Sequence, residues 1–185
     1  MKKLIFALLP VIASVLLSGC AAPARIDQMT AFASPAQRVM KTPLHTNVAV
    51  RDVTGGKETN PMWVSNVGGS EFEQALEASL RDAGLLAAGK QSGKYALVAH
   101  LENVEQPFGG FDMTVTATVS YSLVERATGK EVFNRRVSMP FTASFSSAFV
   151  GSERLRIANE GAVKVNIAKL IEELFAHQFD QVAMN

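Results

Sequence analysis

The chain has 185 residues, of which 18 are Lys or Arg and 17 are Asp or Glu, and its mean hydropathy is +0.13. A near-neutral chain without a Lys/Arg cluster is unsuited to nucleic acid, so no nucleic-acid partner is predicted. A single cysteine excludes an intramolecular disulfide framework. The length suits one domain with a substantial core.

The first twenty residues have the pattern of a secretory signal peptide, with a positive start (MKK), an apolar run over 4–17 and small residues at the end. The apolar run is shorter than the roughly 20 residues that a membrane-spanning helix needs. It closes in LSGC, which ends at Cys20 and resembles the lipobox of bacterial lipoproteins. The alternative is an ordinary secreted protein with a chance cysteine near its cleavage site.

The lipobox resemblance implies a lipid anchor. In that family the cysteine thiol takes a diacylglyceryl group, the signal is cut before the cysteine, and the new amino group is acylated. Each buried lipid methylene contributes about 0.8 kcal/mol, so several acyl chains on Cys20 would hold the protein firmly on a membrane. Ala21, rather than Asp, follows the cysteine. This implies export to the outer membrane of a Gram-negative bacterium, with the periplasmic face favoured over surface exposure.

We therefore divide the chain into a signal peptide (1–19), a lipidated N-terminus with a flexible tether (20–44) and a single α+β domain (45–185). The tether prediction depends on Ala, Ser and three prolines, and on the absence of a sustained period. A segment that is half-ordered against the domain is the alternative.

The domain opens with a predicted strand in HTNVAVRDV, followed by a Gly-rich loop that contains Trp63. A helix follows in GSEFEQALEASLRDAGLL, because its apolar residues recur at helical spacing. Ser70 and Glu73 have the spacing of a capping box at its start. Gly84 stands where the helix end needs a left-handed residue.

Three strands and a second helix complete the predicted elements. The strands lie in KYALVAHLENVEQ, DMTVTATVSYSLVE and KEVFNRRVSMPFTASF. The middle one alternates apolar residues with Thr and Ser, which predicts one covered and one wet face. Pro140 lacks an amide donor and predicts an edge, a bulge or a strand end. The helix spans about 152–179, and Gly161 is expected to loosen its first half.

The order strand, helix, three strands, helix predicts a fold of the α+β class. We expect a two-layer sandwich, β-α-β-β-β-α, in which a mostly antiparallel sheet carries two helices on one face. The Thr/Ser face of the sheet is then left exposed to solvent.

The sequence contains no recognisable catalytic or metal-binding motif, so no cofactor and no metal are predicted. His45, His100 and His177 lie far apart and outside any ligand pattern. There is no Gly-x-Ser-x-Gly elbow and no P-loop. Glu102 and Glu105 are expected on opposite faces of a strand, which is unsuitable for an acid/base pair. An envelope hydrolase stays as an alternative that requires His100, Glu102 and a serine in one cleft.

Aromatic residues in or beside loops are the candidate partner-binding residues, because Trp and Phe are enriched in interface cores. They are Trp63, Phe108, Phe111, Phe145 and Phe149. The alternative for these side chains is a satellite of the hydrophobic core. The wet Thr/Ser face of the sheet is a second candidate surface.

The lipobox, the helix ending in DAGLL, the patterns YALVAHLEN and YSLVERATGKEVF, and the C-terminal amphipathic helix together resemble the small outer-membrane lipoproteins of the LptE and YajG types. That resemblance covers residues 45–178 and implies a sandwich beside an outer-membrane barrel, with lipopolysaccharide as a further ligand. Lys130, Arg135 and Arg136 are the basic residues that could contact it. The sandwich domains of curli-export and TolB-like proteins are a second likeness.

Taken together, the sequence predicts a non-enzymatic, lipid-anchored binding or assembly factor with an outer-membrane or periplasmic protein partner. The first alternative is a carrier of lipid or lipopolysaccharide, which requires an apolar ligand slot between sheet and helices.

Overall fold

A four-stranded sheet with two long helices forms the body of the protein. The computed structural model describes residues 21–62 and 64–179. In chain order the elements are α1 (Ile26–Met29), α2 (Pro35–Arg38), β1 (Val48–Gly55), α3 (Gly69–Asp82), β2 (Tyr95–Glu105), β3 (Met113–Glu125), β4 (Glu131–Ala143) and α4 (Gly151–Ala176). The predicted order from the first strand onward is confirmed, and so is the α+β class. The short helices α1 and α2 were not predicted.

The strands follow one another across the sheet in the order β1-β2-β3-β4. β2 pairs with β3 and β3 with β4 antiparallel, whereas β1 pairs with β2 in parallel. A parallel pair needs a crossover connection, and α3 supplies it. The sheet is therefore mixed rather than wholly antiparallel.

One face of the sheet is covered and the other is open. The apolar residues of β3 are buried, Val115, Val119 and Leu123 completely. α3 packs on β1, α4 packs on β3 and β4, and the two helices contact each other, so both lie on this face. On the other face, hydroxyl groups pair across the strands. The arrangement is consistent with the predicted two-layer sandwich.

A buried polar contact fixes α4 to the sheet. The Asn166 side chain, fully buried, donates from Nδ2 to the carbonyl oxygens of Ala117 and Val137, both at 2.9 Å. Its Oδ1 accepts from the Tyr121 hydroxyl at 2.8 Å. Burial raises the pKa of Tyr121, which keeps the phenol protonated as this bond requires.

Gly161 lies inside α4 and allows close contact with the sheet. A Cβ at this position would lie 2.2 Å from Cδ1 of Phe141, so only glycine permits the ring to cross the helix here. α4 is continuous from Gly151 to Ala176, so the predicted weakening at Gly161 does not break the helix. The packing of Phe141 explains the glycine.

The segment predicted as a tether packs against the domain over its described residues. Met29, Ala31 and Leu44 are at most 1% exposed and belong to the hydrophobic core. The Ala31 amide donates to Ser79 Oγ at 2.9 Å and the Ala33 amide donates to Asp82 at 2.8 Å. Residues 21–44 therefore contribute to the folded unit, which differs from the predicted domain boundary at residue 45.

The ends of α3 differ in part from the sequence prediction. The helix begins at Gly69 with Gly68 as its N-cap and no side-chain capping bond, so the predicted capping box at Ser70 is absent. The capping box that does form lies at the start of α2, between Ser34 and Gln37. Gly84 follows α3 with a φ of 71°, as predicted for the helix end.

β4 forms an outer edge of the sheet, as the position of Pro140 predicted. Its exposed residues include Pro140, Arg135 and Arg136. Proline has no amide hydrogen to donate, and at an edge strand its presence need not remove a hydrogen bond between strands.

Candidate binding surface: an aromatic end of the sheet

Three loops meet at one end of the sheet. Because β1 and β2 are parallel and each later strand is antiparallel to its neighbour, β1, β2 and β4 finish at the end where β3 begins. The loops that follow β1, β2 and β4 therefore lie side by side. We name the last two, residues 106–112 and 144–150, the aromatic end.

The aromatic end exposes four phenylalanine rings. Phe108 is fully exposed, Phe149 is 91% exposed, Phe111 79% and Phe145 43%. The ring centroids of Phe111 and Phe145 are 5.5 Å apart, and those of Phe145 and Phe149 are 6.2 Å apart, both edge to face. Three rings from two loops thus form a connected cluster, while Phe108 stands apart at the tip of its loop.

A buried arginine holds these two loops together. Arg154, in the first turn of α4, is 5% exposed and donates to the carbonyl oxygens of Ala148 (2.6 Å) and Gly110 (3.1 Å). Its guanidinium lies 5.1 Å from the centroid of the Phe145 ring, within the range of a cation–π contact. The Phe145 amide also donates to Asp112 at 2.9 Å. Hydrogen bonds therefore hold in place the two loops that carry the exposed rings.

The aromatic end carries little charge. Its two ranges, 106–112 and 144–150, contain Asp112 and no lysine or arginine. The adjoining Arg154 is buried, and Glu153 is paired with Arg156. Serines at 144, 146 and 147 surround Phe145. An apolar centre with a polar border is the usual anatomy of a protein interface.

The described N-terminus lies at this same end. The Ala21 amide donates to the Pro61 carbonyl at 2.8 Å, and Ser65 Oγ donates to the Ala22 carbonyl at 2.8 Å. The Ser65 carbonyl accepts from Gln106 Nε2 at 2.9 Å, and Gln106 begins the first loop of the aromatic end. The chain therefore enters the described structure at the end of the sheet that carries the exposed rings.

Buried ionic contacts secure this entry. Arg25 binds the Glu160 carboxylate with its Nε and a terminal nitrogen, each at 2.9 Å, and its backbone amide donates to the same carboxylate at 2.9 Å. Glu160 is 2% exposed, and Arg156 Nε lies 3.8 Å from its Oε1. The hydrogen bond to Glu160 raises the pKa of Arg25. The segment is thus bound to α4 by a bidentate pair.

A groove opens beside this pair, between residues 25–32 and α4. Its volume is about 640 Å³. Apolar walls come from Ala31, Phe32, Phe141, Ile157, Val165 and Ala168. Arg25, Glu160 and Lys164 supply its charged groups. We name this feature the helix groove.

The residues of the hydrolase alternative lie on the open sheet face, without the geometry of a triad. His100 Nδ1 is 2.8 Å from Thr54 Oγ1. Glu102 accepts instead from Ser120 and from Arg136, and the Ser120 bond is the main cause that lowers the pKa of Glu102. In a triad the histidine stands between the serine and the carboxylate, which is not the case here.

The described residues contain neither a metal-ligand cluster nor a helix suited to span a membrane. No group of three or more His, Cys, Asp or Glu side chains in 21–62 and 64–179 is arranged to hold a metal ion. No helix in these ranges has the length and apolar character needed to cross a bilayer.

Of the predicted site residues, Cys20 and Trp63 lie outside the described residues. Phe111, Phe145 and Phe149 come together, and Phe108 lies in the same end of the molecule. The exposure of these four rings disagrees with the alternative of a core satellite. The sequence analysis did not identify Arg25, Arg154 or Glu160. The only available signal was a charged residue among the apolar residues of a helix, or just before a helix.

Solved structures provide a comparison of fold. A Xanthomonas campestris protein of the DUF330 family is 13% identical and aligns with a TM-score of 0.59 over 84% of this chain and 94% of that chain. PelC from Paraburkholderia phytofirmans, solved as a dodecamer, is 20% identical, with a TM-score of 0.48 over 73% and 91%. A minor lipoprotein from Acinetobacter baumannii is 10% identical, with a TM-score of 0.46 over 72% and 94%.

At such identities the Xanthomonas protein shows a shared fold, and the other two add no argument. No protein-family model matches the sequence, and no curated protein sequence matches it. The finer resemblance to LptE-type, YajG-type, curli-export or TolB-like proteins stays a prediction.

Proposed function

We propose that this chain is a lipid-anchored protein of the outer membrane, facing the periplasm, which acts by binding an envelope protein rather than by catalysis. Its role is that of an assembly factor. The observation that carries this proposal is the cluster of exposed rings at the aromatic end, whose two loops are held together by Arg154.

The cluster has the properties of an interface anchor. Monomeric proteins seldom expose connected apolar patches without a partner, and Phe is enriched in the centres of interfaces. Arg154 and Asp112 hold the two loops through hydrogen bonds. A patch that is already ordered loses less conformational entropy on binding, which favours affinity.

The position of the N-terminus supports a partner at the membrane. A lipid on Cys20 would be attached one residue before Ala21, and neighbouring Cα atoms are about 3.8 Å apart. Because Ala21 is hydrogen-bonded to the loop that follows β1, the anchor would lie at the same end of the sheet as the rings. The aromatic end has no exposed lysine or arginine to attract anionic lipids, so a protein is the favoured occupant.

Capture of the partner from intact cells tests the proposal. We would tag the C-terminus, crosslink in cells, purify from solubilised membranes and quantify the proteins that accompany the chain. The test variant combines Phe111→Ser with Phe149→Ser. The matched control is Phe32→Ser, which removes a ring that is 65% exposed but lies in the helix groove.

We expect one envelope protein at near-stoichiometric yield, at least a fivefold loss in the double variant and no loss in the control. Cys20→Ser should also lower the yield, because it removes the anchor. Equal capture by all ring variants would overturn the role of the aromatic end. Absence of any specific protein would overturn the proposed function.

A spacer tests the membrane-level position separately. Twelve Gly/Ser residues inserted between Ala21 and Ala22 would add a root-mean-square length of about 20 Å. We expect capture to fall although the rings are intact. The same insert between Thr128 and Gly129, in an exposed turn at the opposite end of the sheet, is the control. Capture that is insensitive to the first insert would contradict the membrane-level position but not the partner.

The lipid or lipopolysaccharide carrier is the second candidate. It needs an apolar space large enough for a ligand, and the helix groove, with its volume of about 640 Å³, is the observation in its favour. Loss of the captured protein together with retention of a co-purified lipid would favour this candidate.

A further inference from the structure

We infer that the helix groove binds a single acyl chain that carries an anionic head group. This site is separate from the aromatic end, and the inference stands whether or not that end binds a protein. It assigns a ligand chemistry to a groove that the proposed assembly role does not use.

The walls of the groove match an acyl chain. Side chains from three parts of the molecule form them: Ala31 and Phe32 from the N-terminal segment, Phe141 from β4, and Ile157, Val165 and Ala168 from α4. Its volume of about 640 Å³ lies within the usual range of ligand sites, about 300–1,000 Å³. Such sites combine mostly apolar walls with a few polar groups.

Gly161 and Phe141 shape the inner wall. Both line the groove, and the missing Cβ of the glycine lets the phenylalanine ring lie directly on α4. Exposed Phe32 also lines the groove, with the Lys164 ammonium 5.5 Å from its ring centroid. An apolar ligand in the groove would therefore have two aromatic rings to contact.

The charges of the groove favour an anionic head. Glu160 is already paired with Arg25, and Arg156 Nε lies 3.8 Å from the same carboxylate. Among the described residues, no carboxylate lies within ion-pair distance of Lys164 Nζ. Lys164 therefore remains as a cation at the edge of an apolar groove. A carboxylate or a phosphate on the ligand would supply its missing partner.

Photolabelling tests the inference with the full lipidated protein in phosphatidylcholine nanodiscs. The probe is a 16-carbon fatty acid with a photoreactive group near its methyl end, and the neutral comparison is the corresponding alcohol. Labelled peptides are mapped by mass spectrometry. We expect the label within 157–168 and around residues 31–32.

Two substitutions separate the apolar wall from the cation. Ala168→Trp fills the groove from an exposed position on α4 and should lower labelling by both probes at least fivefold. Lys164→Gln should lower labelling by the acid at least fivefold and leave the alcohol within twofold. Lys169→Gln, one turn along the same helix and paired with Glu172, should change neither. Thermal unfolding checks each variant, and Val165→Phe replaces Ala168→Trp if that variant is unstable.

Photoreactive phosphatidylglycerol distinguishes the source of the ligand. Labelling by this lipid with the same dependence on Lys164 supports a membrane phospholipid, whereas labelling by the fatty acid alone supports a free acid. Labelling that is unchanged in Ala168→Trp, or in Val165→Phe where that variant is used instead, overturns the proposed site. An equal loss of acid and alcohol in Lys164→Gln overturns the head-group recognition. Labelling that occurs only in Cys20→Ser shows that the protein's own acyl chain fills the groove, and it also overturns the inference.

Discussion

The buried apolar residues of the N-terminal segment, residues 21–44, contrast with the exposed rings of the aromatic end. In the segment, Met29 is completely buried and Ala31 is 1% exposed, although no regular element longer than four residues supports them. At the aromatic end, Phe149 is 91% exposed although its loop is held by buried Arg154. Irregular structure is therefore not the cause of the exposure.

The difference shows which residues serve folding and which remain available for binding. The segment buries Met29 and Ala31, and three of its backbone amides donate to Ser79, Asp82 and Glu160. At the aromatic end, Arg154 and Asp112 form hydrogen bonds with backbone groups, and the phenylalanine rings remain exposed. Removing apolar atoms should thus reduce stability in the first region and reduce binding in the second.

The largest expected effect is that of Met29→Ala. A cavity in the core between the N-terminal segment and the helices should lower the free energy of unfolding by about 3 kcal/mol. Met40→Ala, at a site that is 47% exposed, is the matched control and should change it by less than about 0.5 kcal/mol. Urea denaturation followed by circular dichroism measures both. Equal effects would mean that the segment is not docked.

Glu160→Gln should have the second largest effect. The amide keeps the shape of the side chain but leaves Arg25 and Arg156 without their carboxylate. Because Arg25 is 43% exposed, we expect about 2 kcal/mol, below the usual loss for a fully buried pair. Limited proteolysis should cut residues 21–44 sooner. Glu172→Gln, 64% exposed on the same helix, should leave both readouts unchanged.

Arg154→Met should have a smaller effect on stability, about 1 kcal/mol, because it removes two hydrogen bonds but keeps most of the apolar volume. Its effect on binding should be larger. Without the hydrogen bonds of Arg154, the two loops must become ordered when the partner binds, so partner capture should fall at least threefold. Hydrogen exchange at residues 108–112 should quicken. Unchanged capture would show that the rings bind without preorganisation.

Phe149→Ser should have the smallest effect on stability, within about 0.5 kcal/mol, because the ring is almost wholly exposed. Partner capture should nevertheless fall severalfold. Urea denaturation and crosslinking of the same preparation provide the two measurements. A loss of stability above 1 kcal/mol would instead assign the ring to the hydrophobic core.

Much of the fold follows from local pattern. The alternation in β3 and the apolar stripe of α4 identify these elements because buried residues recur at the period of a strand or of a helix. Docking of residues 21–44 does not follow, since Arg25 meets Glu160 across 135 positions and the helices there are too short to show a period. Helix capping shows the same limit, because the box predicted at Ser70 does not form and the box at Ser34 was not predicted.

The candidate site was predictable in composition but not in arrangement. Phenylalanines in loops indicated exposed rings, whereas the cluster depends on the register that brings the start of β3 beside the end of β4. The role of Arg154 could not be read from the sequence, because both carbonyl groups that it binds belong to loops without a pattern. The helix groove depends on Gly161, whose sequence signal suggested weakness rather than close packing.

The edge strand β4 has a consequence for crowding. Under the proposed lipid anchor, copies of this chain would share a surface rather than a volume, so their sheet edges would meet more often than those of freely diffusing molecules. Pro140 offers no amide to a neighbouring strand, and the exposed Arg135 and Arg136 place charged side chains on the edge strand. Edges of this kind resist strand addition. The same strand that completes the sheet thereby keeps neighbouring copies from continuing it.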